Sequence, residues 1–221
     1  MPIDVGGFLE TPYGVLEYYL GNYPIIGTSE EGRNIRLVNL ARRPKLLVVA
    51  GVHGDEISGV LACLMAIEKY KHQRPPLALI PCANPDGLAR FTRENYNGID
   101  INRSFPPLGN GRPKETWTII RVLRNLGPEM VLDLHELGLL YFPKILYFGQ
   151  DHKNLLEILR SRLGPFTGVN DSPKTPGSLG CYLLNQGIPC VVLELPLYVP
   201  LQRRASKCLN CIQETLNYLE N

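Results

Sequence analysis

No apolar run in these 221 residues approaches the ~20 positions that a membrane-spanning helix needs, so a place in the bilayer is not expected. A secretory signal is not expected either. Residues 1–21 contain Pro2, Asp4, Glu10 and Glu17 where such a signal would carry a basic start and an apolar core. The expected compartment is the cytoplasm. An excess of charge of one sign is also lacking. Lys and Arg number 23 against 21 Asp and Glu, a net charge of +2. The basic clusters at 42, 43 and 45 and at 203, 204 and 207 are too short to follow a phosphate backbone, which argues against nucleic acid as a partner. Of the six cysteines, Cys208 and Cys211 have the spacing of half a zinc knuckle, but no second pair completes it. In a reducing compartment all six read as core thiols. No repeat or low-complexity linker interrupts the chain. With 44% hydrophobic and 20% charged residues, it reads as one domain over 1–221.

Apolar runs alternate with helical periodicity. Strands are expected at residues 45–50, 77–82, 130–134, 144–148 and 190–195, and helices at 55–70, 115–126, 154–163 and 200–220. Asn84-Pro85-Asp86-Gly87 reads as a turn, followed by a polar loop to about residue 113. The stretches 15–20 and 34–40, around Gly32, suggest an antiparallel hairpin or meander. Strands separated by helices imply an α/β fold, a mixed and largely parallel central sheet with helices on both faces. Ligands of such sheets lie at the carboxyl ends of the strands. His53, Asn84, His135 and Glu194 all fall there.

Histidine is scarce. Of the four, His72 and His152 lie in or beside polar helical stretches and are expected to be exposed. The other two have company that suggests chemistry. His53 and Glu56 are three residues apart at the mouth of a strand, and His135 closes another strand. Two nitrogens and one carboxylate leave a fourth zinc position open, the donor set of a catalytic site. Glu194 sits in the apolar run Val191-Val192-Leu193-Glu194-Leu195, where burial raises a carboxyl pKa toward that of a useful general base. Asp133, two residues before His135, is a candidate to orient its imidazole. Arg93 and Arg103 bracket an amide-rich loop that suits an anion clamp, with Asp100 and Asn102 on one face if that loop is extended.

Five segments in order, His53-Gly-Asp-Glu56, Asn84-Pro-Asp-Gly87, residues 93–106 (with Gly-Ile-Asp-Ile-Asn102-Arg103-Ser-Phe-Pro106), Asp133-Leu-His135 and Leu193-Glu194-Leu195, resemble the zinc carboxypeptidase family. Gly27-Thr-Ser-Glu-Glu-Gly-Arg33 resembles that family's early hairpin. The His-Gly-Asp-Glu form and Thr175-Pro-Gly-Ser178-Leu-Gly180 look most like its murein peptide amidase branch. The resemblance implies a zinc carboxypeptidase-like fold in which His53, Glu56 and His135 hold Zn²⁺ and Asp100 supports His53. It implies Arg93 as the oxyanion-stabilising residue, Asn102 and Arg103 as holders of a terminal carboxylate, and Glu194 as the base that activates zinc-bound water. No tyrosine lies in residues 170–180, where larger carboxypeptidases carry a closing one, and Tyr182 is the nearest candidate to touch substrate. The segment 136–141 is an apolar loop that suits a lid or a specificity wall. The implied function is hydrolysis of a C-terminal peptide or γ-glutamyl amide bond. The alternative is a zinc-dependent N-acyl amino acid amidohydrolase resembling the succinylglutamate desuccinylase and aspartoacylase group. Either substrate, a peptide or an acyl-amino acid, carries a free carboxylate. The sequence leaves the oligomeric state open.

Overall fold

All five residues of strand β4 (Leu46–Ala50) are buried, as a strand covered on both faces requires. The computed structural model describes residues 5–107, 112–138, 142–149, 153–163, 169–171 and 175–221. In it β4 runs parallel to β5 (Leu77–Ile80) on one side and to β6 (Met130–Leu137) on the other. β6 pairs in parallel with β9 (Cys190–Pro196). The short β3 (Val38–Asn39) closes one edge antiparallel to β5, while β7 (Lys144–Phe148) runs antiparallel to β9 and carries β8 (Val169–Asp171) beyond it. The order β3-β5-β4-β6-β9-β7-β8 is the mixed, largely parallel sheet expected of the sequence.

The period-2 alternation of these strands divides the core. Leu46, Val48, Leu132, Leu134, Val191 and Leu193 point to one face, covered by α3 (Ile57–Tyr70) and α8 (Leu201–Glu220). Leu47, Val49, Val131, Leu146, Phe148 and Val192 point to the other, covered by α5 (Lys114–Leu126) and α7 (Leu179–Asn185). Cys208 and Cys211 are free thiols on the buried face of α8, so their spacing serves packing. No helix among the described residues is long and apolar enough to cross a membrane.

The amino-terminal region corrects one expectation. Residues 15–20 belong to helix α2 (Pro12–Leu20), not to a hairpin. Leu16 and Leu20, one helical turn apart, are buried, and Pro12 occupies the first turn, where its missing N–H is harmless. The hairpin exists around Gly32 (φ +89°), but it joins β1 (Ile25–Thr28) to β2 (Asn34–Arg36). It docks on α4 (Pro85–Arg90) through Asp86, which is fully buried. That carboxylate accepts from Ser29 Oγ at 2.7 Å, from the Glu31 backbone N–H at 3.0 Å and from Arg33 Nη1 at 2.9 Å. Asp86→Ala strands these donors and should cost about 3 kcal/mol, read as a lower urea midpoint with an unchanged m-value. A midpoint within error of wild type would show that the hairpin does not depend on this anchor.

Candidate active site

Gly51, with φ +60°, turns the chain sharply off the end of β4, and the Glu56 N–H folds back to the His53 carbonyl at 3.3 Å. That turn needs Gly54. A Cβ there would lie 2.0 Å from the backbone carbonyl carbon of Gly87, so the two motifs pack main chain against main chain. Asn84 holds the other side. It caps α4 by accepting from Gly87 N–H at 2.9 Å, and its amide donates to the Arg93 carbonyl at 3.3 Å. The expected turn at 84–87 is therefore the start of a short helix, and it carries the backbone toward Arg93.

His53, Glu56 and His135 come together as the sequence predicts. Their donor atoms lie within 4.8 Å of one another, and all three residues are buried. Nδ1 of His53 is 2.7 Å from Glu56 Oε1, Nδ1 of His135 is 2.7 Å from Glu56 Oε2, and the two nitrogens are 3.2 Å apart. Each imidazole turns its other nitrogen to a carboxylate. Nε2 of His53 is 3.1 Å from Asp100 Oδ1, and Nε2 of His135 is 3.0 Å from Asp133 Oδ2. Asp100 favours the His53 tautomer that leaves its Nδ1 lone pair facing inward, while Nε2 of His135 has both the Asp133 carboxylate and, at 3.3 Å, the Asn102 amide nitrogen beside it. Two buried imidazole nitrogens facing one carboxylate form a donor set that fits a divalent metal ion.

Protonation preferences follow the same geometry. Burial disfavours charge on Glu56, yet the imidazoles of His135 and His53 overcome it and hold the carboxyl down at about 2. Burial likewise opposes charge on His53, but Asp100 and Glu56 outweigh it and raise the imidazole above its usual value. His135 is driven well above its usual value despite burial, by Asp133 and Glu56. Protons and a metal ion thus compete for the same atoms.

Glu194 is the direct register partner of His135 on the adjacent parallel strand, so both side chains leave the same face at the carboxyl end of the sheet. Burial pushes its carboxyl upward and the charges of Glu56 and Asp133 add to the rise, against the pull of the histidines. It lines a cavity of about 190 Å³ that also borders His53 and Glu56. Arg93, Asn102 and Arg103 line the same space, joined by apolar Leu146 and Val192. Arg93 is pinned between Asp100 Oδ2, 3.1 Å from Nη2, and Glu56 Oε1, 3.5 Å from Nη1.

Asp100 and Asn102 do not share the face of an extended segment. Asp100 caps a 3₁₀ turn over Ile101–Arg103 by accepting from Asn102 N–H at 2.8 Å. The turn still delivers Asn102 and Arg103 to the cavity. It is held there by the Leu179 N–H, which donates to Asn102 Oδ1 at 2.8 Å, and by Gly177, whose φ of +80° admits no side chain against the Arg103 backbone. Tyr182, the expected substrate contact, is placed differently from the other candidates. It is buried on α7 with its ring 5.8 Å from that of Phe105, and it is not among the described residues lining the cavity. Residues 139–141 of the apolar loop, and His152, lie outside the described residues, while His72 is exposed as expected. Sequence reading overlooked Glu136. A carboxylate directly after His135 on a strand points to the opposite face, toward α3 and α8, and alternation marks that placement though not the partner it meets there.

The chain is similar to known hydrolases. A curated murein peptide amidase A of Escherichia coli strain K12 is 25% identical over 203 residues, covering 77% of this chain and 81% of that protein. The crystal structure of murein-tripeptide amidase from Escherichia coli O157 superposes with a TM-score of 0.70 at 24% identity, over 90% of this chain and 94% of that one. A metallo-carboxypeptidase from Burkholderia cenocepacia gives 0.75 at 15% identity, over 94% of this chain and 69% of that one. These structures establish the zinc carboxypeptidase-like fold. The model of the succinylglutamate desuccinylase/aspartoacylase catalytic domain matches residues 42–218, a span that holds every residue of the cavity just described. The chain therefore belongs to the succinylglutamate desuccinylase/aspartoacylase catalytic-domain family of hydrolases, and it groups His53, Glu56 and His135 so that they could hold a metal ion.

Proposed function

We propose that this protein is a zinc-dependent peptidase that hydrolyses the amide bond to a C-terminal residue, a γ-glutamyl amide of a cell-wall peptide being the first substrate class to test. One observation carries the reading. Glu194 stands in register beside His135, at a cavity shared with His53, Glu56 and a cationic edge of Arg93 and Arg103. The similarity to murein peptide amidases points the same way.

His53 Nδ1, His135 Nδ1 and the Glu56 carboxylate would hold the zinc, a His₂-carboxylate set with an open position. When bound, zinc lowers the pKa of water and polarises a carbonyl as a Lewis acid. The rest is done by the chain. Glu194, its proton affinity raised by burial, takes a proton from the attacking water and passes it to the departing nitrogen, so that the amine leaves uncharged. Arg93 places a guanidinium at the cavity to stabilise the carbonyl oxygen as it gains negative charge. Asn102 and Arg103 bind the free carboxylate of the substrate, a task suited to a guanidinium and an amide. The matched family model supports a second reading, hydrolysis of N-acyl amino acids, which calls on the same residues.

Product mass spectrometry separates the two. Zinc-loaded protein is given murein tripeptide, ordinary peptides with free C-termini and N-acyl amino acids. Release of a C-terminal residue from a peptide is the expected result. Cleavage of the N-acyl amino acids alone would replace the peptidase reading with the acylase one.

A further inference from the structure

The helix that follows Glu56 lacks its ordinary cap. Glu56 is the N-cap residue of α3, and an N-cap side chain normally accepts from the backbone N–H two or three residues on. Its carboxylate makes no such bond, because both oxygens are turned to the imidazoles of His53 and His135. The N–H at the second helical position, Ser58, would be left without a partner inside the protein, where an orphaned donor is costly. It is not left so. Glu136, from the neighbouring strand, reaches across with Oε1 to accept from Ser58 N–H at 2.8 Å.

Strand alternation makes this possible. His135 points to the cavity face and Glu136, the next residue, to the face of α3 and α8. Glu136 is buried there, and Arg204 from the first turn of α8 lies with Nε 3.2 Å from the same Oε1. Arg204, itself buried, also donates through Nη1 to the carbonyl of Leu197 at 2.8 Å and to that of Val199, on the connection that follows β9. One buried pair thus joins the strand of His135, the helix start at Glu56 and the chain leaving Glu194.

We infer that Glu136 is a positioning residue: it caps α3 in place of Glu56 and so leaves the Glu56 carboxylate free to bind the metal, with Arg204 holding it in that place. The inference rests on reading His53, Glu56 and His135 as metal ligands. Without the cap from Glu136, the Ser58 N–H would draw on the side chain of its own helix's N-cap residue, Glu56, in competition with the metal.

The test uses variants built to fold. Glu136→Met with Arg204→Met replaces the buried pair by side chains of similar volume, an exchange that proteins often accept without loss of stability. It leaves Ser58 N–H uncapped. Glu136→Gln with Arg204→Met is equally free of charge but restores an acceptor. Zinc affinity is measured by chelator competition on full-length proteins with native circular dichroism. The double-methionine protein should bind zinc about 10- to 100-fold more weakly than wild type, the usual consequence of losing an outer support of a metal site. The glutamine protein should recover most of that affinity. Wild-type affinity in the double-methionine protein would overturn the proposal, as would equal weakening in both variants, which would assign the effect to lost charge. A wild type that binds no zinc would instead defeat the metal reading itself. Should the double-methionine protein not fold, Glu136→Gln against Glu136→Ala in the wild-type background makes the same comparison of acceptor against none.

Discussion

Glu194→Gln is expected to lower kcat by at least about 10²–10⁴-fold, the range assigned to a positioned general base, while zinc binding stays within a few-fold of wild type. The substitution keeps the shape of the side chain and removes only its capacity to take a proton. Glu194 belongs to β9, and the three candidate metal ligands come from the β4–α3 turn and β6, so the site should assemble without it. The pH dependence carries more information than the size of the loss. Burial raises the carboxyl of Glu194, so wild-type activity should fall on the acid side at a pH above the ordinary carboxylate range. Below that limb the base is protonated and idle; above it the base is ionised and active. In the variant the same limb should vanish from whatever residual rate remains. Stopped assays of product release across pH, with zinc in excess at every point, would show it. A variant with wild-type kcat would remove Glu194 from the mechanism and shift attention to another proton acceptor in the cavity.

The parts of the molecule that could be read in advance share one property: their signal is carried by many residues at once. The five apolar runs reappear as β4, β5, β6, β7 and β9, and the four long helices as α3, α5, α6 (Lys153–Leu163) and α8, with ends displaced by no more than three residues. A parallel strand buried on both faces has no other way to be written. The same reading placed His53, His135 and Glu194 at one edge, and the register confirms that edge. What failed was short. Residues 15–20 are nearly all hydrophobic and too short a run for a period of two to be told from one of 3.6, and Leu16 with Leu20 settles it only once both are seen to be buried. Helices α4 and α7 depend on single capping side chains, Asn84 accepting from Gly87 N–H and Ser178 from Cys181 N–H, rather than on periodicity. The 3₁₀ turn at Asp100 rests on one side-chain bond as well. Glu136 is the instructive omission. Its meaning depends on a helix 78 residues away in the chain that has given up its own cap, and no local pattern contains that fact.

Stripping the metal from the wild-type protein should abolish turnover and lower the melting temperature, and His135→Ala should reproduce both effects with zinc present. Zinc at 1,000 times its Kd adds about 4 kcal/mol to the folded state, and a chain of this size then melts roughly 10 °C higher. The sign of the pH dependence separates metal binding from a general effect of the mutation. In the metal-free protein His53 and His135 bind protons more tightly than the unfolded chain does. The stability they contribute is therefore fully present below the usual histidine value of 6.5 and is lost as pH rises through their raised folded values. A metal ion demands the opposite state, both imidazoles unprotonated. The zinc-dependent gain in melting temperature should consequently be small near pH ~5.5 and grow toward pH ~8, while the metal-free protein loses stability over the same range. His135→Ala removes one titrating ligand, so its zinc-dependent gain should be near zero throughout. Differential scanning calorimetry with and without zinc, at several pH values, measures all of these directly. A zinc-dependent gain that is flat with pH, or one that survives His135→Ala, would mean that the metal binds elsewhere on the molecule and that the buried imidazole pair serves another purpose.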